Sequence, residues 1–382
     1  MRIGINAQKA LDRETGIGNY AFHLLKAFAK IPAANESIRL FLLNGEEKVR
    51  RFQPESAIDS TEWPGKGSVP RICWEQLVLP GRAARAGMDV LHYLDHAAPL
   101  FNKRLPIVIT VHDLAFYRLP LMYDTRRRYY KQYVGLRSIR LADHIITISN
   151  STKRDIMELA GIDDSKITVI NYGLSSIFQN VTNEIKENIK IRYDLLQPFF
   201  LFVGTLQPRK NIENILAAFS LMLQNKPLPH ELLLAGGEGW LTGDLVAAAG
   251  RYNVADRVRL LGSVPHDDLS GLYGNATALV YPSWYEGFGL PPLEAMACGT
   301  PVIVSQTASL PEVVDNAGIL VHPGDVQGLA EAMGRLATDE AYRTKYSKLG
   351  PVQAAKFSWD DCARRTYQVY QQVHQARKKN VV

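Results

Sequence analysis

The sequence has few of the features that mark secreted, disulfide-bonded or membrane-spanning proteins. It contains three cysteines in 382 residues, and they are widely spaced (Cys73, Cys298 and Cys362). Three isolated cysteines form neither a disulfide framework nor a metal-ligand pattern, so we expect reduced thiols in a reducing compartment. No stretch approaches the roughly 18 apolar residues of a spanning helix. A strand-like segment begins at Arg2 and leaves no room for a signal peptide, so we expect a cytoplasmic protein.

Composition and charge indicate two soluble domains with different surfaces. Hydrophobic residues make up 46% of the chain, and at about 150 residues per domain the length predicts two domains. Residues 1–180 carry 25 Lys and Arg against 18 Asp and Glu, whereas residues 181–382 carry 19 against 20. Six cations of the first half alternate with tyrosines at roughly helical spacing: Arg126, Arg127, Arg128, Lys131, Arg137 and Arg140. They form either a solvated helix face or a surface for anionic lipids or a phosphorylated acceptor. Nucleic acid is not expected, since no nucleic-acid-binding motif accompanies them.

Short apolar runs alternate with helical patterns along both halves of the chain. Strands are predicted at residues 2–6, 38–43, 89–92, 106–111, 143–149 and 167–171, and again at 199–204, 231–235, 257–262, 277–282, 301–304 and 318–322. Polar and turn residues interrupt this rhythm over 172–198, which predicts a domain boundary there. The pattern indicates the α/β class, with two doubly wound, Rossmann-like domains over 1–178 and 179–358 that face each other across a cleft.

In the second half, charged residues follow two predicted strands. Arg209 and Lys210 precede a helix that Asn211 could cap. Adjacent cations repel each other unless an anion lies near them, so they predict a diphosphate site, with solvated surface charge as the alternative. Glu286 lies on a glycine-containing loop, and the helix behind that loop carries Glu294. Free backbone N–H groups at such a helix start attract phosphate.

In the first half, Gly16, Gly18 and Ala21 have the spacing of the dinucleotide fingerprint G-x-G-x-x-A. Gly16 lies ten positions after the end of the first strand, and the second strand ends without an acidic residue for a ribose, so NAD is not expected. The glycines therefore belong either to a loop that approaches a ligand closely or to a plain helix start.

Histidines and aspartates follow two other strands of the first half. His112 and Asp113 follow the fourth predicted strand, and His92, Asp95 and His96 lie at an analogous strand end. Polar side chains at such positions are either structural or in contact with a ligand. No metal is predicted, because the spacing fits no known metal site.

Together these motifs resemble the retaining glycosyltransferases of glycosyltransferase family 4, which have the GT-B fold. The resemblance covers nearly the whole chain and is most specific in PSWYEGFGLPPLEAMACGTPVI, where Glu286 and Glu294 form an E-x7-E element. The motif GTLQPRKN, the early Gly-x-Gly and His112 support it. It implies transfer of a sugar from a nucleotide diphosphate donor with retention of configuration and without a cofactor. It also implies that a C-terminal helix over 359–382 crosses back to the first domain.

The resemblance assigns roles to the donor-site residues. Glu294 would bind the ribose and Glu286 the donor sugar, while His112 would touch the sugar and stabilise the transition state. The remaining residues would contact the diphosphate: Arg209, Lys210, the amides of Gly287, Phe288, Gly289 and Leu290, and the Gly16–Gly18 loop. No Asp-x-Asp pair occurs in the chain, so a metal-bridged diphosphate is not expected.

Overall similarity favours a mannosyltransferase of surface polysaccharide or lipopolysaccharide biosynthesis that uses GDP-mannose. UDP-glucose is the rival donor, and a sugar-nucleotide epimerase of the same architecture is the alternative enzyme. The acceptor, a glycan or a polyprenyl-diphosphate-linked saccharide, is expected on the first domain near His92, Asp95 and Asp113. With a lipid-linked acceptor, the basic face of that domain would contact the inner membrane surface.

Overall fold

The computed structural model describes residues 1–12, 15–44, 58–62, 68–101, 104–123, 125–237, 239 and 245–381. The chain forms two compact units. The first comprises Met1–Tyr117, Asp124–Gly173 and Ser358–Val382, and the second comprises Arg118–Tyr123 and Leu174–Phe357.

The first unit is built on a parallel sheet in the order β3-β2-β1-β4-β5-β6-β7. Its strands are β1 (Ile3–Asn6), β2 (Ile38–Leu43), β3 (Ile58–Thr61), β4 (Val90–Tyr93), β5 (Ile107–Val111), β6 (His144–Thr147) and β7 (Ile167–Val169). The six predicted strands are confirmed, with small differences at their ends. The prediction missed β3, a half-buried edge strand of sequence IDST, because an edge strand does not need the apolar run by which buried strands are recognised.

The helices of the first unit begin and end where local sequence favours it. They are α1 (Gly16–Phe28), α2 (Pro32–Ser37), α3 (Ser68–Cys73), α4 (Leu79–Arg85), α5 (Ala115–Arg118), α6 (Thr125–Leu141) and α7 (Asn150–Ala160). The predicted ends of α7 are confirmed: the Ser149 side chain accepts a hydrogen bond from Thr152 N, and Gly161 ends the helix at φ +66°. A positive φ strains most residues but not glycine.

The second unit has a parallel sheet in the order β10-β9-β8-β11-β12-β13. Its strands are β8 (Phe199–Val203), β9 (Glu231–Ala235), β10 (Val258–Gly262), β11 (Ala278–Tyr281), β12 (Val302–Ser305) and β13 (Ile319–Val321). Its helices are α8 (Asn183–Arg192), α9 (Ile212–Asn225), α10 (Leu245–Arg251), α11 (His266–Asn275), α12 (Leu290–Ala297), α13 (Leu310–Val314), α14 (Val326–Thr338) and α15 (Glu340–Ala354). All six strands predicted for this half are confirmed.

The last helix, α16 (Trp359–Val381), belongs to the first unit although it follows the second in sequence. Its Trp359 ring stacks on His23 of α1 and on Tyr172. Further along, the Tyr370 hydroxyl lies 2.6 Å from His92 Nδ1. All of these contacts are made with residues of the first unit.

Each sheet has one point at which the strand order reverses, between β1 and β4 in the first unit and between β8 and β11 in the second. In doubly wound sheets the loops that leave the carboxyl ends of two such strands run in opposite directions, and the crevice between them binds ligands. The topology therefore defines one candidate ligand location in each unit.

Candidate active site

The candidate location in the second unit is occupied by a cluster of three charged residues. Arg209 and Lys210 lie in the turn after β8, and Glu286 lies in the loop after β11. Arg209 Nη1 is 2.9 Å from Glu286 Oε2, and Lys210 Nζ is 2.6 Å from Glu286 Oε1. The sequence predicted a diphosphate beside the two cations; in this structure both cations contact Glu286, and the diphosphate site stays a prediction.

Burial decides the electrostatics of this cluster. Lys210 and Glu286 are buried and Arg209 is mostly so. Although burial raises the pKa of Glu286, the neighbouring Arg209 and Lys210 outweigh it and hold that pKa at about 2. Lys210 Nζ also donates to the Tyr281 hydroxyl at the end of β11. At neutral pH the three side chains therefore carry a net charge of one positive unit.

Asn211 holds the turn that carries the two cations. Its backbone is left-handed, with φ +63°, and its Nδ2 donates to the carbonyl oxygens of Pro282 and Pro323 at 3.0 and 2.6 Å. It precedes α9 as predicted, but its side chain makes no capping hydrogen bond. Its role is instead to tie the turn after β8 to the loop after β11, which spacing along the sequence does not reveal.

The loop from Gly287 to Leu290 leads directly into α12. Gly289 has φ +120°, and a Cβ at this position would lie 2.6 Å from Leu310 Cδ2, so only glycine fits. The Ser309 hydroxyl lies 2.8 Å from the carbonyl oxygens of both Glu286 and Phe288. Sequence reasoning missed Ser309, since nothing but the fold brings it to this loop.

The start of α12 offers fewer donors than an ordinary helix. Pro291 and Pro292 occupy its first turn and have no N–H group, and Leu293 N already donates to Gly289 O at 3.2 Å. Any backbone donors for an anion here must therefore come from the loop residues 287–290. The free N–H groups expected at a helix start are therefore limited here to the backbone of this short loop.

Glu294 lies one turn into α12 and is buried. The Tyr273 hydroxyl donates to its Oε2 at 3.0 Å. Burial raises the pKa of Glu294 to about 7, although the Tyr273 hydrogen bond opposes that shift. The two glutamates of the E-x7-E element thus have opposite electrostatic environments, because Glu286 is paired with cations and Glu294 is not.

Of the two alternatives expected for the early glycines of the first unit, the structure shows the helix start. Both fall in the first turn of α1, where Thr15 caps the helix by accepting a hydrogen bond from Gly18 N. A Cβ on Gly18 would lie 1.6 Å from Asp12 O, whereas a Cβ on Gly16 would meet nothing within 4 Å. Gly18 is therefore required by backbone packing.

His112 follows β5 and is buried with both ring nitrogens in hydrogen-bond contact. Nε2 lies 2.8 Å from the Leu94 carbonyl oxygen, so it must donate, and Nδ1 faces the Tyr172 hydroxyl. Burial lowers the pKa of His112. The residue is therefore a neutral imidazole of fixed tautomer at neutral pH.

His92, which the sequence assigned to the acceptor, has no exposed surface in this structure. Its side chain lies in the core, with Nδ1 2.6 Å from the Tyr370 hydroxyl and Nε2 2.9 Å from Thr110 Oγ1. Burial lowers the pKa of His92 to about 3. A side chain with no exposed surface and both nitrogens in hydrogen bonds has a structural role.

Asp95 and Asp113 lie after β4 and β5 respectively. Asp95 contacts Lys9 Nζ and His96 Nδ1, each at 2.8 Å. Burial opposes the ionisation of Asp95, but His96 and Lys9 hold its pKa well below the usual range. Asp113 accepts a hydrogen bond from Ala115 N at the start of α5.

The described residues contain neither a cluster suited to a metal ion nor a helix suited to span a membrane. No group of three or more His, Cys, Asp or Glu in the described ranges is placed to hold a metal ion. Likewise, none of the helices formed by these residues combines the length and the hydropathy needed to cross a membrane. The predicted basic segment forms α6, but the side chains of Arg126, Arg127, Arg128 and Lys131 lie outside the described part of the structure.

Comparisons with known proteins agree with the fold and identify the family. Residues 15–175 match the glycosyltransferase family 4 profile, and residues 184–352 match the glycosyl transferases group 1 profile. O-antigen chain mannosyltransferase B of Escherichia coli is 32% identical over 370 residues, which cover 93% of this chain and 96% of that protein.

Solved structures of low sequence identity share the whole architecture. Sucrose-phosphate synthase of Thermosynechococcus elongatus superposes with a TM-score of 0.77 at 23% identity over 98% of this chain and all of that one. Anabaena HepE in complex with UDP and glucose gives a TM-score of 0.76 at 17% identity over 97% of this chain and all of that one.

Two Rossmann-like units with these profiles define a GT-B glycosyltransferase. The chain belongs to glycosyltransferase family 4, whose second domain is the group 1 domain. It is a glycosyltransferase that uses a nucleotide sugar as donor, and the predicted family and fold class are confirmed.

Proposed function

We propose that this protein is a retaining hexosyltransferase that moves mannose from GDP-mannose to a glycan or lipid-linked saccharide during surface polysaccharide biosynthesis. The relative from Escherichia coli, an O-antigen chain mannosyltransferase by name, supports the sugar and the pathway. The observation that carries the site assignment is the buried cluster of Arg209, Lys210 and Glu286 at the reversal point of the second sheet.

The donor site lies in the second domain, residues 179–358 in our assignment. Arg209 and Lys210 bind the diphosphate, together with amides of residues 287–290, because the cluster keeps a net positive charge after Glu286 has been counted. Glu286 contacts the donor sugar, and Glu294 accepts hydrogen bonds from the ribose hydroxyls. The raised pKa of Glu294 fits this role, since hydroxyl donors would compensate a carboxylate that is otherwise poorly solvated.

The chemistry follows from charge development. As the bond to the diphosphate breaks, the anomeric carbon becomes positive and the leaving oxygens become negative, and fixed cations stabilise those oxygens. Glu286 is a poor general acid because its pKa of about 2 leaves it ionised at neutral pH. Both of its oxygens already bind cations, which weakens it as a nucleophile. We therefore propose front-face attack, in which a diphosphate oxygen accepts the proton of the acceptor hydroxyl.

The acceptor site lies in the first domain, residues 1–178 in our assignment, with helix 359–382 packed on it. Asp95 and Asp113 remain acceptor-binding candidates because they follow β4 and β5 at the carboxyl edge of the sheet. In this proposal His112 binds the donor sugar as a neutral group, and Gly16 and Gly18 bind its phosphates. Cation contacts take the place of a metal in this mechanism.

A thermal-shift panel tests the donor. GDP, UDP, ADP and their sugar conjugates are compared at one concentration, because a ligand that binds the folded state more tightly raises the midpoint further. We expect GDP and GDP-mannose to give the largest shifts and Arg209→Ala to remove them. A larger shift with UDP-glucose would favour a glucosyltransferase, and the neighbour bound to UDP makes that the second candidate.

Product analysis tests the reaction. Donor incubated with a mannose-terminated glycan should lose its sugar to the glycan with retained configuration, and EDTA should not change the rate. A changed sugar in the absence of any acceptor would identify an epimerase instead. An inverted product would contradict front-face attack, and loss of turnover in EDTA would contradict the cation-only diphosphate site.

We also propose cytoplasmic location with peripheral contact at the inner membrane face. Helix α6 carries four basic residues whose side chains are not described, together with the exposed Arg137 and Arg140. Binding to liposomes that contain anionic lipid should fall as salt is raised, because screening weakens exposed charges. Binding that is absent, or insensitive to salt, would reject the membrane contact.

A further inference from the structure

The reversal point of the first sheet contains a cavity of about 100 Å³. Its walls include Asn6, the last residue of β1, and Tyr93, the last residue of β4. These strands are the neighbours between which the strand order reverses. The cavity therefore occupies the place where doubly wound sheets bind ligands, and it lies wholly within the first unit.

Glu75 forms one wall of this cavity and is buried. Asn6 Nδ2 donates to its Oε1 at 3.1 Å, and among the described residues this is the one hydrogen bond to the carboxyl group. Burial raises the pKa of Glu75. A buried carboxyl group with an unused oxygen is costly unless a ligand or water completes its hydrogen bonds.

The local backbone at Glu75 is unusual. It lies in a π-helical turn, Trp74–Val78, between α3 and α4. The Tyr93 hydroxyl donates to the Glu75 carbonyl oxygen at 2.9 Å, which fixes this turn against the end of β4. Single π-turns inserted between α-helices are rare and are found frequently at functional sites.

The other walls carry charges of both signs. Lys9 and Asp95 form an ion pair at 2.8 Å. Arg71, one helical turn before Glu75, has a buried Nε without a hydrogen-bond partner among the described residues. An inorganic anion would face two carboxyl groups here, and a cation would face Arg71 and Lys9. A neutral molecule whose hydroxyls both donate and accept suits this mixture best.

From this cavity we infer that Glu75 and Arg71 bind a neutral pyranose ring, the sugar of the acceptor that receives the transferred residue. Identifying this sugar as the acceptor rests on the proposed function. The binding of a neutral sugar in the cavity does not depend on it. A cavity needs about 10 to 15 Å³ to hold one water, so this cavity has room for several waters. A single sugar ring would displace them.

Saturation-transfer NMR on the full chain tests this inference. The probes are the methyl glycosides of mannose, glucose, galactose and N-acetylglucosamine, with inorganic phosphate as the anionic comparison. We expect at least one glycoside to bind, and we expect Glu75→Gln and Arg71→Gln each to weaken it about tenfold or more, the usual cost of losing a hydrogen bond to a charged group. Glu36→Gln, an exposed carboxylate on α2 of the same unit, is the matched control and should change nothing.

The outcomes separate the inference from the proposed function. If nucleotide sugars shift the thermal midpoint but no glycoside binds, or if a glycoside binds equally to all variants, the sugar site is rejected and the donor assignment stands. Binding of inorganic phosphate without binding of any glycoside also rejects the sugar site. If glycoside binding depends on Glu75 and Arg71 but no nucleotide binds, the cavity stands and the donor assignment fails. Arg71 is only half-buried, so its variant keeps the test valid if Glu75→Gln does not fold.

Discussion

Replacing Glu294 by glutamine should stabilise the protein without its donor while weakening donor binding. Glutamine has nearly the same shape and can accept the same hydrogen bond from the Tyr273 hydroxyl. What it lacks is the charge that burial disfavours, the cause of the raised pKa of about 7. The substitution therefore isolates the cost of keeping an ionised carboxylate at this position.

The magnitude follows from the pKa. Relative to the ordinary value of 4.5, each unit is worth about 1.4 kcal/mol, so the full effect is about 3 kcal/mol. A carboxyl group with a raised pKa contributes stability that is present below pH 4.5 and is lost as pH rises through 7. The Glu294→Gln protein does not lose this stability as pH rises. The difference between its unfolding free energy and that of the native protein should therefore grow from near zero at pH 4.5 to a maximum above pH 7.

Urea denaturation of both proteins at pH 5, 6, 7 and 8 measures this difference. Glu331→Gln, an exposed carboxylate on α14 of the same unit, serves as the control and should show a difference that is small at every pH. The affinity for a nucleoside diphosphate should change in the opposite direction to stability. At pH 8 it should be lower for Glu294→Gln than for the native protein, and in the native protein it should fall as pH drops below 7. Parallel stability curves for the native protein and Glu294→Gln would refute the electrostatic reasoning.

Four further substitutions, one of them a matched control, test local packing and pairing, each measured as an unfolding free energy by urea denaturation. Glu286→Ala should cost about 3 to 5 kcal/mol because it leaves Lys210 buried without its counter-ion, and a loss below about 1 kcal/mol would contradict that pairing. Gly289→Ala should cost about 1 to 3 kcal/mol because its φ is +120°, so unchanged stability would argue against this backbone. Gly18→Ala should cost about 1 to 3 kcal/mol through its clash with the preceding turn, whereas Gly16→Ala should change stability by less than about 1 kcal/mol; equal effects would disprove the difference in packing.

Much of the fold could be predicted because its signals are local. Twelve of the strands coincide with apolar runs, since strands of a covered parallel sheet are buried on both faces. Helix ends at Ser149 and Gly161 follow from the chemistry of one or two residues. The edge strand β3 escaped prediction because its stability comes from pairing with β2, and pairing between distant segments leaves no pattern in a short window.

The candidate site was predictable in part. Residue types and order pointed to Arg209, Lys210, Glu286 and Glu294, but not to the fact that Glu286 is itself the counter-ion of the two cations. Histidines show the limit most clearly. His92 lies in β4 and His112 follows β5, and burial, which only the fold imposes, lowers the pKa of both side chains.

By itself, the order of amino acids determined the α/β class, the strand positions and the family, because periodicity and short motifs are properties of neighbouring residues. Only the tertiary structure decided which charges are paired, which polar groups are buried and how their pKa values move. The physical reason is that solvation and Coulomb interactions depend on distances between side chains that lie tens to hundreds of positions apart, and folding alone sets those distances.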